Sequence, residues 1–238
     1  MENKANIKLI LLFTISCLIL VIISVFFMIV GKFFLYDDLP TISNKESYTV
    51  IVLDAGHGGM DSGANVGDIF EKDLNLEIVM KIKDFLSLYN VEVKLTRSED
   101  TLLADNNSSH KKRDDLFNRV KFTRSFNSPI LVSVHMNKFA EEKYSGLQVF
   151  FSKNNPYSEA LALLVQTNTK ECLQPSNNRN IKPATSSIYL LDRLECPSVL
   201  IECGFLSNRE ELIKLTEDSY QNKLAFVIAN SIIEFLNI

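Results

Sequence analysis

From Leu9 to Gly31 the chain runs for 23 residues without a charged side chain, most of them aliphatic. As a helix such a run is about 35 Å long, enough to cross a hydrocarbon core of roughly 30 Å. It divides the 238 residues into an apolar head and a more polar remainder. Residues 1–32 hold three lysines and one glutamate, which leaves residues 33–238 with 22 basic and 28 acidic side chains, a net charge of −6. That balance excludes a nucleic-acid binder held by bulk positive charge. About 200 residues suit one domain with a sizeable core.

The head reads as a membrane anchor or a signal segment. A cleavable signal has a shorter apolar stretch and a small-residue cleavage site. No alanine lies between Ala5 and Ala55, and no clear small-x-small site follows Val30. The expectation is therefore one N-terminal transmembrane helix within residues 1–32, retained rather than cleaved. Lys4 and Lys8 would keep the amino terminus in the cytoplasm and send the remainder outward. Cleavage would instead leave a secreted protein. Residues 33–47, with Pro40, read as a linker, and residues 48–238 as one folded domain. Cys172, Cys196 and Cys203 form no CxxC pair, so neither a thiolate metal site nor a disulfide framework is indicated.

Strand and helix signals then alternate. TVIVLD (49–54), VEVKLT (91–96), ILVSV (130–134), 146–151, 187–191 and 198–201 read as strands. Residues 71–89, 114–126, 156–172 and 221–236 read as helices; in the first, Leu74, Ile78, Ile82, Phe85, Leu86 and Tyr89 share one face. Such interleaving predicts an α/β domain with a mixed, mainly parallel sheet flanked by helices.

Five of the eight glycines fall between Gly56 and Gly67, directly after the first strand. They permit sharp turns and close approach of a ligand. Neither the P-loop ending GK[ST] nor the dinucleotide GxGxxG is present, so phosphate binding is not indicated. Among the three histidines, His57 lies in this loop and His135 follows the ILVSV strand, while His110 sits in a polar stretch beside Lys111, Lys112 and Arg113. Ligands of open α/β sheets bind at the carboxyl ends of strands, so His57 and His135 can face one another; each alone also fits an ordinary satisfied histidine. Glu71 opens the first helix of the domain, where the helix dipole alone would explain an acid. Glu202 ends the apolar run SVLIE, where a carboxylate is costly unless paired or used. Two imidazoles and one carboxylate make a known catalytic zinc set, and a second carboxylate beside it can act as general base.

These residues stand in DAGHGGMDSGA (54–64), EKDLNL (71–76), LTR (95–97), RV (119–120), SVHMN (133–137) and PSVLIECGFLSN (197–208). Blocks of this kind in this order resemble the zinc-dependent N-acetylmuramoyl-L-alanine amidases of bacterial cell walls, the Amidase_3 type, over about Tyr48 to Phe235. The resemblance implies a zinc ion held by His57, Glu71 and His135, with Glu202 as the catalytic glutamate. It implies a peptidoglycan substrate, cut at the amide between N-acetylmuramic acid and L-alanine. NRNIK from Asn178 matches a segment near the substrate groove, with Asn180 where the family has glycine; asparagine tolerates a left-handed turn there. Asp54 and Asp61 are candidates to hold the second ring nitrogens of the histidines. Short single-domain members resemble spore-cortex amidases, which adds a role in muramic-δ-lactam formation, a place between the forespore membranes and an accessory protein of the sporulation machinery. Two other readings stand beside this one: a different zinc amide hydrolase or peptidase, and a catalytically inactive wall-binding protein.

Overall fold

The computed structural model describes residues 14–26, 50–105 and 107–236. It divides into two units, Met1–Thr41 and Ile42–Ile238. In the first, residues 14–26 form helix α1. Among the described residues no helix is long and apolar enough to cross a membrane. This overturns the expected transmembrane helix, and with it the expected anchoring that would hold the domain on the outer side of a membrane. The rest of the apolar run and the 33–47 linker lie outside the described residues.

In the second unit the order is β1 (Val50–Ala55), β2 (Asn65–Val66), β3 (Ile69–Phe70), α2 (Glu71–Leu86), β4 (Glu92–Leu95), α3 (Lys111–Arg124), β5 (Pro129–Asn137), β6 (Gln148–Phe151), α4 (Tyr157–Cys172), β7 (Lys182–Pro183), α5 (Tyr189–Arg193), β8 (Ser198–Phe205), α6 (Arg209–Thr216) and α7 (Asp218–Phe235). Six strands form one sheet in the order β4-β1-β5-β8-β6-β7. All neighbours are parallel except β6, which runs antiparallel to β8. The mixed, mainly parallel sheet is thus as expected. Helices α2 and α4 lie against the sheet with α7 packed across both, while α3 and α5 pack together on β5 and β8.

Alternation along the strands decides which layer each side chain meets. Val50, Val52, Leu131 and Leu200 join Val120, Leu190, Leu191 and Leu194 in the cluster beneath α3 and α5. Continuing along the same face, the next positions are Asp54, Ser133 with His135, and Glu202. The opposite face carries Ile51, Leu53, Val132, Val134, Val199, Ile201 and Cys203, all buried. Fully burying one such aliphatic side chain contributes roughly 1.5–3 kcal/mol.

Two elements differ from the sequence reading. Residues 187–191, expected as a strand, give way to the one-turn helix α5. Leu190 and Leu191 are adjacent yet both enter the same apolar cluster, which a strand's alternation forbids. Strand β8 runs on to Phe205 rather than stopping near Ile201, so Glu202 sits inside it and pairs in register with His135.

Candidate metal centre and cleft

Ala55, the last residue of β1, pairs with Val134, so His135 and Glu202 lie one step beyond the end of β1. The chain leaves β1 through Gly56 and reaches His57, whose φ is +63°. A non-glycine residue in that region is strained and persists only where its surroundings fix it. Two buried arginines supply the fixing. Arg97 donates from Nε to the Ala55 carbonyl at 2.9 Å and from Nη2 to the Gly56 carbonyl at 3.1 Å. Arg119 donates from Nη1 to the Ala55 carbonyl at 2.8 Å and from Nη2 to the His57 carbonyl at 2.7 Å. Three successive carbonyls are thereby gripped by two guanidiniums.

Arg119 is itself held by Asp54 at 2.5 Å and Asp115 at 2.7 Å, with both side chains buried. Asp54 also accepts from Thr96 Oγ1 at 2.7 Å and Ser133 Oγ at 2.6 Å. Burial alone would raise the Asp54 carboxyl, but Arg119 and the two hydroxyls outweigh it and hold it at about 2. This network ties the end of β1 to β4, β5 and α3.

Glycine is required where the site closes. A Cβ on Gly56 would stand 2.2 Å from His135 Cε1, and one on Gly63, at φ +65°, would stand 2.5 Å from Glu71 Oε2. Glu71, the first residue of α2, turns back into this space. Its Oε2 accepts from the Ala64 amide at 2.8 Å and its Oε1 from the Met136 amide at 3.1 Å. Asn75, one turn on, donates to the Gly56 carbonyl at 3.1 Å.

His57, Glu71 and His135 therefore come together from three separate elements. Each offers one ligand atom, and the three atoms lie within 4.8 Å of one another. His57 Nε2 is 3.2 Å and His135 Nδ1 2.9 Å from Glu71 Oε1. The two rings stand nearly perpendicular with centroids 4.9 Å apart. Burial pulls the His57 imidazolium down, yet Glu71 and Asp61 outweigh it and raise its pKa to about 9. Burial would raise Glu71, but the two histidines drive it far below the ordinary carboxylate range.

Of the two aspartates considered for the second ring nitrogens, Asp61 takes that place, 2.8 Å from His57 Nδ1. Asp54 does not: its position on the α3 face of β1 gives it to Arg119 instead. Asn180 is not among the described non-glycine residues with positive φ, so no left-handed turn forms there. Its carbonyl accepts from Gln148 Nε2, and Gln148 pairs in register with Glu202 across the sheet. His110 is exposed, as its polar surroundings indicate.

Glu202 looks into the same space. Its Oε2 is buried without a hydrogen-bond partner among the described residues. Burial pushes its carboxyl up to about 7; His135 and His57 pull it down and Glu71 pushes it further up. Glu202, His57 and His135 line a cleft of about 320 Å³ together with Leu116, Ile188 and Leu190. Arg97, Arg119, Asp115 and Asn75 carry no role in the sequence reading. The available signal was Asp115 and Arg119 at i and i+4 on the face of α3 that also buries Val120 and Thr123.

The Amidase_3 family model, described as N-acetylmuramoyl-L-alanine amidase, matches residues 51–234. A germination-specific N-acetylmuramoyl-L-alanine amidase of Bacillus subtilis is 34% identical over 189 residues, 78% of this chain and 79% of that protein. Among solved structures, the CwlD amidase of Clostridioides difficile, determined in complex with the GerS lipoprotein, is 38% identical with a TM-score of 0.75; the match covers 79% of this chain and 98% of that one. The amidase AmiC2 of Nostoc punctiforme is 30% identical with a TM-score of 0.70, over 80% and 98% of the two chains. A family match across most of the chain, on a fold whose sheet rim gathers the motif histidines and glutamates, makes this protein a hydrolase belonging to the Amidase_3 family of N-acetylmuramoyl-L-alanine amidases.

Proposed function

We propose that this chain, through a catalytic domain at residues 48–238, hydrolyses the amide between the lactyl group of N-acetylmuramic acid and L-alanine of peptidoglycan stem peptides, with zinc as cofactor. The observation that carries this reading is the convergence of three ligand atoms within 4.8 Å beside a buried carboxylate oxygen that has no partner among the described residues. The donor set fits the metal: two imidazoles and one carboxylate are a catalytic zinc set. His57, Glu71 and His135 would hold the ion. When bound, zinc supplies Lewis-acid polarisation and lowers the pKa of water.

The remaining chemistry belongs to the chain. Glu202, raised to about 7, is poised both to accept and to return a proton near neutral pH. It takes a proton from the attacking water as the new C–O bond forms at the lactyl carbonyl. It then gives that proton to the nitrogen of L-alanine as the C–N bond breaks. Asp61 fixes the His57 ring through Nδ1 and so presents Nε2 toward Glu71. Leu116, Ile188 and Leu190 give the cleft part of its lining in apolar form, which strengthens electrostatic interactions within it.

The 34% identity to a germination-specific relative supports a role in spore cortex, where lactam formation needs the stem peptide removed. The relative solved with a lipoprotein supports an accessory partner for this chain as well. Mass analysis of muropeptides after incubation with the full chain, with and without added zinc, tests the central reading. A free lactyl carboxylate together with an intact stem peptide, formed only with zinc, is the expected product pair. A cut inside the stem peptide, or equal turnover without zinc, would refute it.

A further inference from the structure

Lys112, on the first turn of α3, lines two depressions at once. One is the cleft it shares with His57 and Glu202. The other is a groove of about 560 Å³ between Met60 and residues 108–113. In a domain of net negative charge, this second groove is bordered by four consecutive basic residues, His110, Lys111, Lys112 and Arg113. Two nearby carboxylates are already engaged. Asp114 is bound by Ser108 at 2.5 Å and Arg113 at 3.1 Å, and Asp61 spans Lys112 Nζ at 2.6 Å and His57 Nδ1 at 2.8 Å.

We infer that Lys112 is a specificity residue that binds a free carboxylate on the second residue of the stem peptide, so that the peptide leaves the cleft through the groove over the start of α3. The inference rests on the reading of the cleft as the site of muramoyl-amide hydrolysis. Reach supports it. One carboxylate and two hydrogen bonds link Lys112 Nζ to His57 Nδ1, and the imidazole ring carries the path on to Nε2, roughly 10 Å in all and an upper bound on the direct separation. In an extended peptide, about two residues of backbone, roughly 7 Å, separate the scissile nitrogen from a carboxyl on the second residue. Donor capacity supports it too. An ammonium has three N–H donors; one serves Asp61, and the others are left for an incoming carboxylate. The side chain is about two-thirds exposed, so the substrate can meet it without rearrangement of the core.

The test compares two muropeptides that differ only at the second stem residue, free carboxylate in one and carboxamide in the other. The full-length, zinc-loaded chain should cleave the carboxylate form with a kcat/KM about fivefold to tenfold higher, the difference lying in KM, as for a binding contact remote from the reacting bond. Lys112→Gln should bring the ratio close to one, and Lys112→Arg should restore most of it. Using the ratio cancels any change that Lys112→Gln transmits through Asp61 to His57, because both substrates feel that change alike. A wild-type ratio near one, or a preference that survives in Lys112→Gln, overturns the inference while leaving the hydrolase reading intact. If the wild-type chain cleaves neither form, the hydrolase reading fails and this inference fails with it.

Discussion

Along β1, β5 and β8, the side chains turned away from α3 and α5 are Ile51, Leu53, Val132, Val134, Val199, Ile201 and Cys203, buried and without charge. The side chains of the same strands turned toward α3 and α5 begin apolar, with Val52, Leu131 and Leu200, and end as Asp54, Ser133, His135 and Glu202. The two faces have the same backbone, hydrogen bonding and register. On the first face each residue contributes by the area it removes from water, largely independently of its neighbours. On the second, Asp54 and Arg119 are tolerable only together, because either one alone would be a buried unpaired charge. The comparison teaches that the site is built by converting one end of one face from additive packing to mutual satisfaction. Such a network is less forgiving of substitution than aliphatic packing, and it fixes geometry that aliphatic packing cannot.

The sharpest contrast is expected in turnover. Glu202→Gln should reduce muropeptide hydrolysis about 10³-fold, with the fold and zinc content retained; rates and metal analysis together check this, and full activity would remove Glu202 from the chemistry. Next, Arg119→Met should lower unfolding free energy by about 3–5 kcal/mol by stranding Asp54 and Asp115, and should weaken zinc binding because His57 loses the donor on its carbonyl. Denaturant titration and competition with a chelator read both effects.

Acid provides the third comparison. Asp54 titrates ordinarily at 3.8 and at about 2 in the fold. A carboxyl whose folded pKa is depressed stabilises the fold above its unfolded pKa, and that stabilisation is lost as pH falls through the folded one. Stability should therefore fall by about 2 kcal/mol from this group between pH 4 and pH 2, and less so in Ser133→Ala, which removes one of the hydrogen bonds that depress Asp54. Thermal melts across that range would show it. The smallest effect belongs to the apolar face. Ile51→Val should cost about 1 kcal/mol and leave turnover unchanged; a marked loss of activity there would mean the two faces are more strongly coupled than this comparison holds.

Much of the fold was legible because periodicity survives without tertiary information. The helix at Glu71–Leu86 showed its face through Leu74, Ile78 and Ile82, all buried as spacing required. Residues 187–191 were misread because a short apolar run is the same string in a strand and in one turn of helix. The apolar run from Leu9 was read as a membrane span on its length and lack of charge, whereas among the described residues no helix is long and apolar enough to cross a membrane. At the site, His57, Glu71, His135 and Glu202 were legible as motif residues, and the Gly56–Gly67 loop as a place of close approach. The arginines were not. LTR and RV name Arg97 and Arg119, but nothing in a string says that their guanidiniums reach back 41 to 64 residues to the carbonyls of Ala55 and Gly56.

By itself, then, the sequence determined which residues are candidates for the chemistry and which segments alternate or repeat at helical spacing, since those are local properties of side chains and backbone. The tertiary structure alone decided that Asp54 serves Arg119 while Asp61 serves His57, and that Lys112 stands where two depressions meet. Those outcomes depend on strand register and on which face of the sheet a side chain is given. Register is settled by long-range pairing and burial, which no local stretch of sequence contains.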